Sequence, residues 1–204
     1  MVSDRTTNDR TATVKRETSE TAVAVSINLD GSGRSEVATG IPFFDHMLAQ
    51  LGRHSSFDLH VTASGDLAVD THHTVEDVGI ALGESFAQAV GEKTGMRRFA
   101  SLALPLDEAL VEVALDLSGR PYLAWGISFS VDIPGIGEPP FYPQLAEEFF
   151  RAFVTAAKIT VHVWAERWNS PHHVLEASFK ALARCLHDAT KVEGDMVPST
   201  KGVL

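Results

Sequence analysis

Apolar residues alternate with polar ones at Val23, Val25, Ile27 and Leu29, the period of a strand with one buried face. The run enters Asp30-Gly31-Ser32-Gly33, a turn signal, and a second extended stretch follows near Arg34 to Thr39, so the pattern predicts a hairpin. The same alternation returns at Val111, Val113, Leu115 and Leu117 ahead of Ser118-Gly119-Arg120, with Leu29-Asp30-Gly31 matching Leu117-Ser118-Gly119. Helices are predicted over about Phe43 to Arg53 and Gln144 to Ala157. Each leads to a short strand, Phe57 to Thr62 and Ile159 to Trp164, matched through Leu59-His60-Val61 and Val161-His162-Val163. Each half closes on a helix, running to about Val90 and Ala189. Asp70 and Ser170 stand at equivalent N-cap positions, and Pro171 suits the first helical position.

The order β-β-α-β-α is thus read twice. The expected class is α+β: two similar fused half-domains, each a mainly antiparallel four-stranded sheet with helices packed on one face. The expected divisions are a disordered N-terminus over 1–10, half-domains over 11–95 and 96–194, and a C-terminal tail over 195–204. The join falls near Gly95 to Ala100, and the Pro/Gly-rich stretch Ile133 to Pro140 is expected to be an exposed loop.

Composition narrows the function. The 204 residues suffice for a real core, and 44% hydrophobic with 22% charged residues is an ordinary globular profile. A formal net charge of −10 argues against a general nucleic-acid or membrane-surface role, since both favour a basic face. The sole cysteine, Cys185, excludes an intrachain disulfide and a thiolate-rich zinc site. A cytoplasmic location is expected, with neither a signal-peptide core nor a membrane-length apolar run in the chain.

The chemistry concentrates in a repeated motif. His72-His73-Thr74-Val75-Glu76 and His172-His173-Val174-Leu175-Glu176 lie 100 positions apart, at the start of the last helix of each half. On a helix, His72 and Glu76 share a face at i,i+4, whereas His73 is turned by about 100° from His72. The two rings of each pair therefore diverge and serve different centres. The donors are imidazole and carboxylate, suited to Mn²⁺, Fe²⁺, Co²⁺, Ni²⁺ or Zn²⁺ without choosing among them. The bland reading is a solvated or Glu-paired helix N-terminus; duplication at matching places weighs against it.

On the first helix, His46, Gln50 and His54 form a polar i, i+4, i+8 stripe, with His46 read as a further ligand and Gln50 and His54 as substrate contacts. Counting back from each His pair, Glu148 is the rough counterpart of His46. His172, Glu176 and Lys180 share a stripe, but the equivalent of Lys180 is Ile80, as expected if a symmetric metal pair binds one asymmetric anion. The plain alternative for Lys180 is an i,i+4 pair with Glu176. His60 and His162 are read as packed structural residues, and His187 as a helix C-terminal charge or filler.

Six ordered segments carry a resemblance: Lys15 to Thr21, Phe43 to Leu48, Asp70 to Asp77, Leu115 to Pro121, His172 to Ala177 and Pro198 to Leu204. Together they resemble the imidazoleglycerol-phosphate dehydratase family over nearly the whole chain. The resemblance implies dehydration of imidazole glycerol phosphate to imidazole acetol phosphate in histidine biosynthesis, with the substrate held as an imidazolate by two Mn²⁺ ions per site. It implies a homo-oligomer of 24 subunits with sites between subunits. It implies metal ligands at His46, His72, His73, Glu76, Glu148, His172, His173 and Glu176, where Glu148 stands in a position that is often His. Substrate contacts are implied at Glu20, Gln50, His54, Arg98, Arg120, Lys180, Ser199 and Lys201, and the tail bearing the last two would close over the phosphate. Glu20 is the favoured acid/base; Glu176 is the weaker candidate because a coordinated carboxylate is a poorer base. Two other readings remain open: a dinuclear metallohydrolase of a phosphate ester, and a metal-clamped assembly protein.

Overall fold

The computed structural model describes residues 10–202. Strands β1 (Thr11–Glu17), β2 (Thr21–Asn28) and β3 (Ser35–Ala38) precede helix α1 (Pro42–Ser55), strand β4 (Asp58–Gly65) and helix α2 (His72–Val90). The second half repeats the order as β5 (Phe99–Leu106), β6 (Ala109–Asp116), β7 (Tyr122–Gly126), α3 (Leu145–Ala157), β8 (Thr160–Arg167) and α4 (Pro171–Ala189). The sheets are ordered β1-β2-β4-β3 and β5-β6-β8-β7. Three strands of each run antiparallel to their neighbours, and β3 and β7 join β4 and β8 in parallel. The two half-domains expected from the repeat are present.

The predicted hairpin between β2 and β3 is not. Both strands pair with β4, on opposite sides of it. The cause is Asp58 at the start of β4. Its Oδ1 accepts from the amides of Ser32 (2.9 Å) and Arg34 (3.0 Å), and its Oδ2 accepts from the Arg34 guanidinium (2.9 Å). These bonds draw the turn across the end of β4 and deliver β3 to the far side. The crossing is tight: a Cβ on Gly31 would lie 2.3 Å from the Asp58 nitrogen. The alternation also left β1, β5 and β7 unplaced. β1 reads Thr-Ala-Thr-Val-Lys-Arg-Glu, with only Val14 buried, and β5 carries apolar residues on both faces and Pro105 within it.

Each sheet buries one face under helices. α1 and α2 cover the first sheet, α3 and α4 the second, and the helix layers meet crosswise, α1 against α4 and α2 against α3. Close approach of α2 to α3 depends on missing side chains: a Cβ on Gly83 would stand 2.5 Å from the Phe153 carbonyl oxygen and 2.7 Å from Ala156 Cβ. Phe149 stacks on Phe153 and Phe179, and all three are buried.

The helix ends fix the site residues. α1 and α3 both stop at left-handed caps, Ser56 and Lys158. Ser170 caps α4 by accepting from the His173 amide, with Pro171 in the first turn. At α2 the N-cap is Thr71, one residue later than the expected Asp70, whose side chain still accepts from the His72 amide at 3.2 Å. The 133–140 stretch is less exposed than its composition implies: Ile136 packs against the core, and Thr71 Oγ1 donates to the Pro140 carbonyl (3.0 Å). Residues 1–9, most of the N-terminal segment expected to be disordered, lie outside the described residues; Arg10 binds Asp30 and the Thr190 carbonyl.

Candidate active site

The αL caps put the two halves in register. His46 and Glu148 each lie ten residues before the cap of their helix, and are therefore true counterparts. In the same register Gln50 and His54 correspond to Ala152 and Ala156. The α1·α4 groove is therefore polar where the α2·α3 groove is small and apolar.

Along the polar groove, His172 Nε2 lies 3.1 Å and His46 Nε2 3.4 Å from Glu176 Oε2, while Lys180 Nζ donates to Glu176 Oε1 at 2.5 Å. Burial works against the Glu176 carboxylate, but Lys180, His46 and His172 outweigh it and hold the carboxyl below its ordinary value. Next along the stripe, Gln50 Oε1 lies 3.0 Å from His54 Nε2. Burial, then the charges of Lys180 and Arg184, lower the His54 pKa and so favour the neutral ring.

The two rings of each His pair do diverge. They stand at 88° in His72–His73 and 82° in His172–His173, with centroids 6.0 Å apart in both. His72 Nε2 is 3.8 Å from Glu76 Oε2, on its own helix face. His73 turns away, with Nδ1 3.1 Å from Asp66 Oδ2 and 3.7 Å from Glu20 Oε2. His173 Nδ1 is held 2.7 Å from Glu108 Oε2. The His173 ring, with the Ser170 amide, pulls the Glu108 carboxyl down to about 2, and Glu108 in turn raises the His173 pKa. Carboxylates on both Nδ1 atoms fix the rings and leave each Nε2 without a hydrogen bond among the described residues, with Asp107 Oδ2 4.0 Å from that of His173, the arrangement that orients metal-binding imidazoles. Asp66 and Glu108 were missed in the sequence; they stand in non-equivalent turns, ahead of α2 and ahead of β6, so the repeat gives no signal for them.

A third group gathers at the far end of α4. The Arg98 amide donates to the Ala189 carbonyl (2.9 Å), and its guanidinium binds both Asp116 oxygens (2.7 and 3.1 Å) and the Pro198 carbonyl (2.6 Å). This anchors the start of the tail bearing Ser199 and Lys201, and Arg120 lies beside the same Asp116. His172 is 17 residues before Ala189 on α4, so the two groups of one chain stand roughly 26 Å apart along the helix.

Two other histidines depart from expectation, and a third, His187, stands in the last turn of α4 as expected but with an added partner. His60 and His162 are exposed on the outer sheet faces, beside Glu36 (3.2 Å) and Tyr122 (ring centroids 5.6 Å). His187 Nδ1 is 2.7 Å from the Ser55 carbonyl; since a carbonyl only accepts, Nδ1 carries the proton and closes the last turn of α1. Cys185 is buried against the Val113 carbonyl, and burial pushes its thiol up to about 12, which makes it inert.

Of the eight sequence-proposed ligands, His46, His172 and Glu176 converge, with their donor atoms within 4.8 Å of one another. Two imidazoles and a carboxylate suit a first-row divalent ion. His72, Glu76 and Glu148 form no comparable cluster among the described residues.

Tandem half-domains with imidazole–carboxylate clusters at helix N-termini define a duplicated α+β protein whose side chains are equipped for acid–base or metal chemistry. A family profile for imidazoleglycerol-phosphate dehydratase matches residues 39–186. Imidazoleglycerol-phosphate dehydratase of Gluconacetobacter diazotrophicus is 54% identical over 198 residues, covering 96% of this chain and 98% of its own length. That of Caldicellulosiruptor saccharolyticus is 49% identical, covering 97% and 100%. The crystal structure of the Staphylococcus aureus enzyme has a TM-score of 0.77 at 36% identity, covering 88% of this chain and 97% of that one. The Pyrococcus furiosus enzyme, solved in complex with (S)-C348, gives 0.77 at 35%, covering 94% and 100%. The chain belongs to the imidazoleglycerol-phosphate dehydratase family and is a hydro-lyase.

Proposed function

We propose that this chain removes water from D-erythro-imidazole glycerol phosphate to give imidazole acetol phosphate, with two Mn²⁺ ions held by its imidazoles and carboxylates. The convergence of His46, His172 and Glu176 carries the metal reading. His73 and His173, each fixed through Nδ1 by a carboxylate, would offer Nε2 to ions shared with another copy. When bound, the ions would supply Lewis acidity that lets the substrate imidazole lose its N–H proton.

The chain's own residues do the rest. The proton to be removed sits on a carbon beside no carbonyl, so a base must act while the hydroxyl on the ring-adjacent carbon departs. Glu20 removes that proton; its side chain is half-exposed and passes 3.7 Å from His73. The C–H electron pair forms the C=C bond as the ring-adjacent C–O bond breaks, and the departing hydroxide leaves as water with a proton that balances the one taken by the base. The resulting enol gains a proton on the ring-adjacent carbon, loses the proton of its own hydroxyl and becomes the ketone. Glu176, paired with Lys180 and two imidazoles, is the poorer base. Arg98, Arg120, Lys180, Ser199 and Lys201 hold the phosphate, and Gln50 and His54 orient the chain of the substrate.

Within one chain Arg98 and His172 lie at opposite ends of α4. A single small substrate cannot span that length, which favours sites completed between copies, in an assembly of 24. The test is product analysis. Dehydration predicts a ketone that retains its phosphate; release of inorganic phosphate would instead mark a hydrolase.

A further inference from the structure

We infer that Asp77, a buried carboxylate outside the reacting set, positions Glu20 by gripping both strands of the hairpin that carries it. The inference rests on the assignment of Glu20 as the base. Asp77 is 7% exposed, and it lies four residues after His73, on the same face of α2 one turn further in. Its Oδ1 accepts from Arg16 Nε on β1 at 2.7 Å, and its Oδ2 accepts from the hydroxyl of Thr21, the first residue of β2. Glu20 is the residue immediately before Thr21.

The turn between these anchors is stiff. The Thr18 amide donates to the Thr21 carbonyl (2.9 Å), and Thr18 Oγ1 accepts from the amides of Glu20 (3.2 Å) and Thr21 (3.0 Å). A knitted turn clamped on both sides to α2 moves with α2, and so with His73. Glu20 is thereby held beside the imidazole without a direct bond to it.

Comparison of the halves shows why a clamp is needed here. Leu29 and Leu117 mark the register of β2 and β6, in which Glu20 corresponds to Glu108 and Thr21 to Ala109. Glu108 is held directly, by His173 at 2.7 Å and by the Ser170 amide at 2.8 Å. It is committed to orienting its ring. In the first half Asp66 does that work, so Glu20 is spare, and a spare carboxylate on a turn needs another anchor. The position equivalent to Asp77 is Ala177, so the clamp exists only where the acidic residue is free to react.

The test is a double-mutant cycle of Asp77→Asn and Glu20→Gln, read as kcat, KM and metal content on imidazole glycerol phosphate. Asp77→Asn should lower kcat by about 10- to 100-fold, the scale of a small misplacement at a reacting group, with KM and metal content nearly unchanged. In the Glu20→Gln background it should cost little more, because its target is already gone. Thr21→Val removes one anchor with less risk to folding, and should lower kcat in the same non-additive way. Multiplying losses in the double variants, or wild-type kcat in Thr21→Val, would overturn the inference while leaving Glu20 as the base. Near-normal turnover in Glu20→Gln would remove both.

Discussion

Asp58 gathers two amides and a guanidinium at the first crossing of the chain, and those donors, the Arg34 guanidinium first, hold its carboxyl well below the usual carboxylate range. A folded-state pKa below the unfolded value gives stability that is fully present above about pH 4 and is lost as pH falls through the folded pKa. Asp58→Asn should therefore lower the melting temperature at neutral pH and narrow its difference from wild type as the pH is taken down. A difference that does not shrink on acidification would mean the carboxylate's charge contributes nothing. The same residue shows why some readings of the chain went astray. Asp30-Gly31-Ser32-Gly33 is a sound turn signal, but the direction of the turn is set by a side chain 25 to 28 positions away. His60 was misread for a like reason, and the role of His187 was only half legible. Their partners, the Ser55 carbonyl and Glu36, are close only in space.

At the scale of elements, both long motif helices, both cap-terminated helices and the central strands were legible, because amphipathic periodicity and turn residues act locally. Three of the four edge strands, β1, β5 and β7, were not, since an edge needs no clean alternation to be held by its one neighbour. The divergence of the His pairs was also legible, being a consequence of helix geometry alone. The contrast between the helix pairs was only half visible. Lys180 against Ile80 could be read from the repeat, but Gln50 and His54 against Ala152 and Ala156 required the αL caps to fix the register. The small residues of the α2·α3 pair have a packing role. In Gly83→Ala the added Cβ meets the backbone of α3, which cannot swing aside. Overpacking of about 1–3 kcal/mol should outweigh the ~1 kcal/mol that alanine adds to helix propensity. A lower melting temperature is expected in thermal unfolding; an unchanged or higher one would mean the helices part easily.

At the scale of the whole molecule, the chain separates what the proposed reaction has to bring together. Imidazoles and carboxylates lie at the N-terminal ends of α2 and α4, and Arg98 with the tail lies at the C-terminal end of α4. No helix among the described residues is long and apolar enough to cross a membrane. The cations proposed to hold a phosphate are thus local features of a chain with net charge −10, which composition alone could not reveal. The family was readable from ordered motifs. Which of those residues one chain can bring together was not, because that depends on helix length and on the crosswise packing of the two halves. The metal reading ties these parts into one site, and its direct test is elemental analysis run beside turnover of imidazole glycerol phosphate. The expected result is two divalent ions per chain, loss of turnover on chelation, and recovery when Mn²⁺ is restored. Full turnover in protein stripped of divalent metal would contradict it.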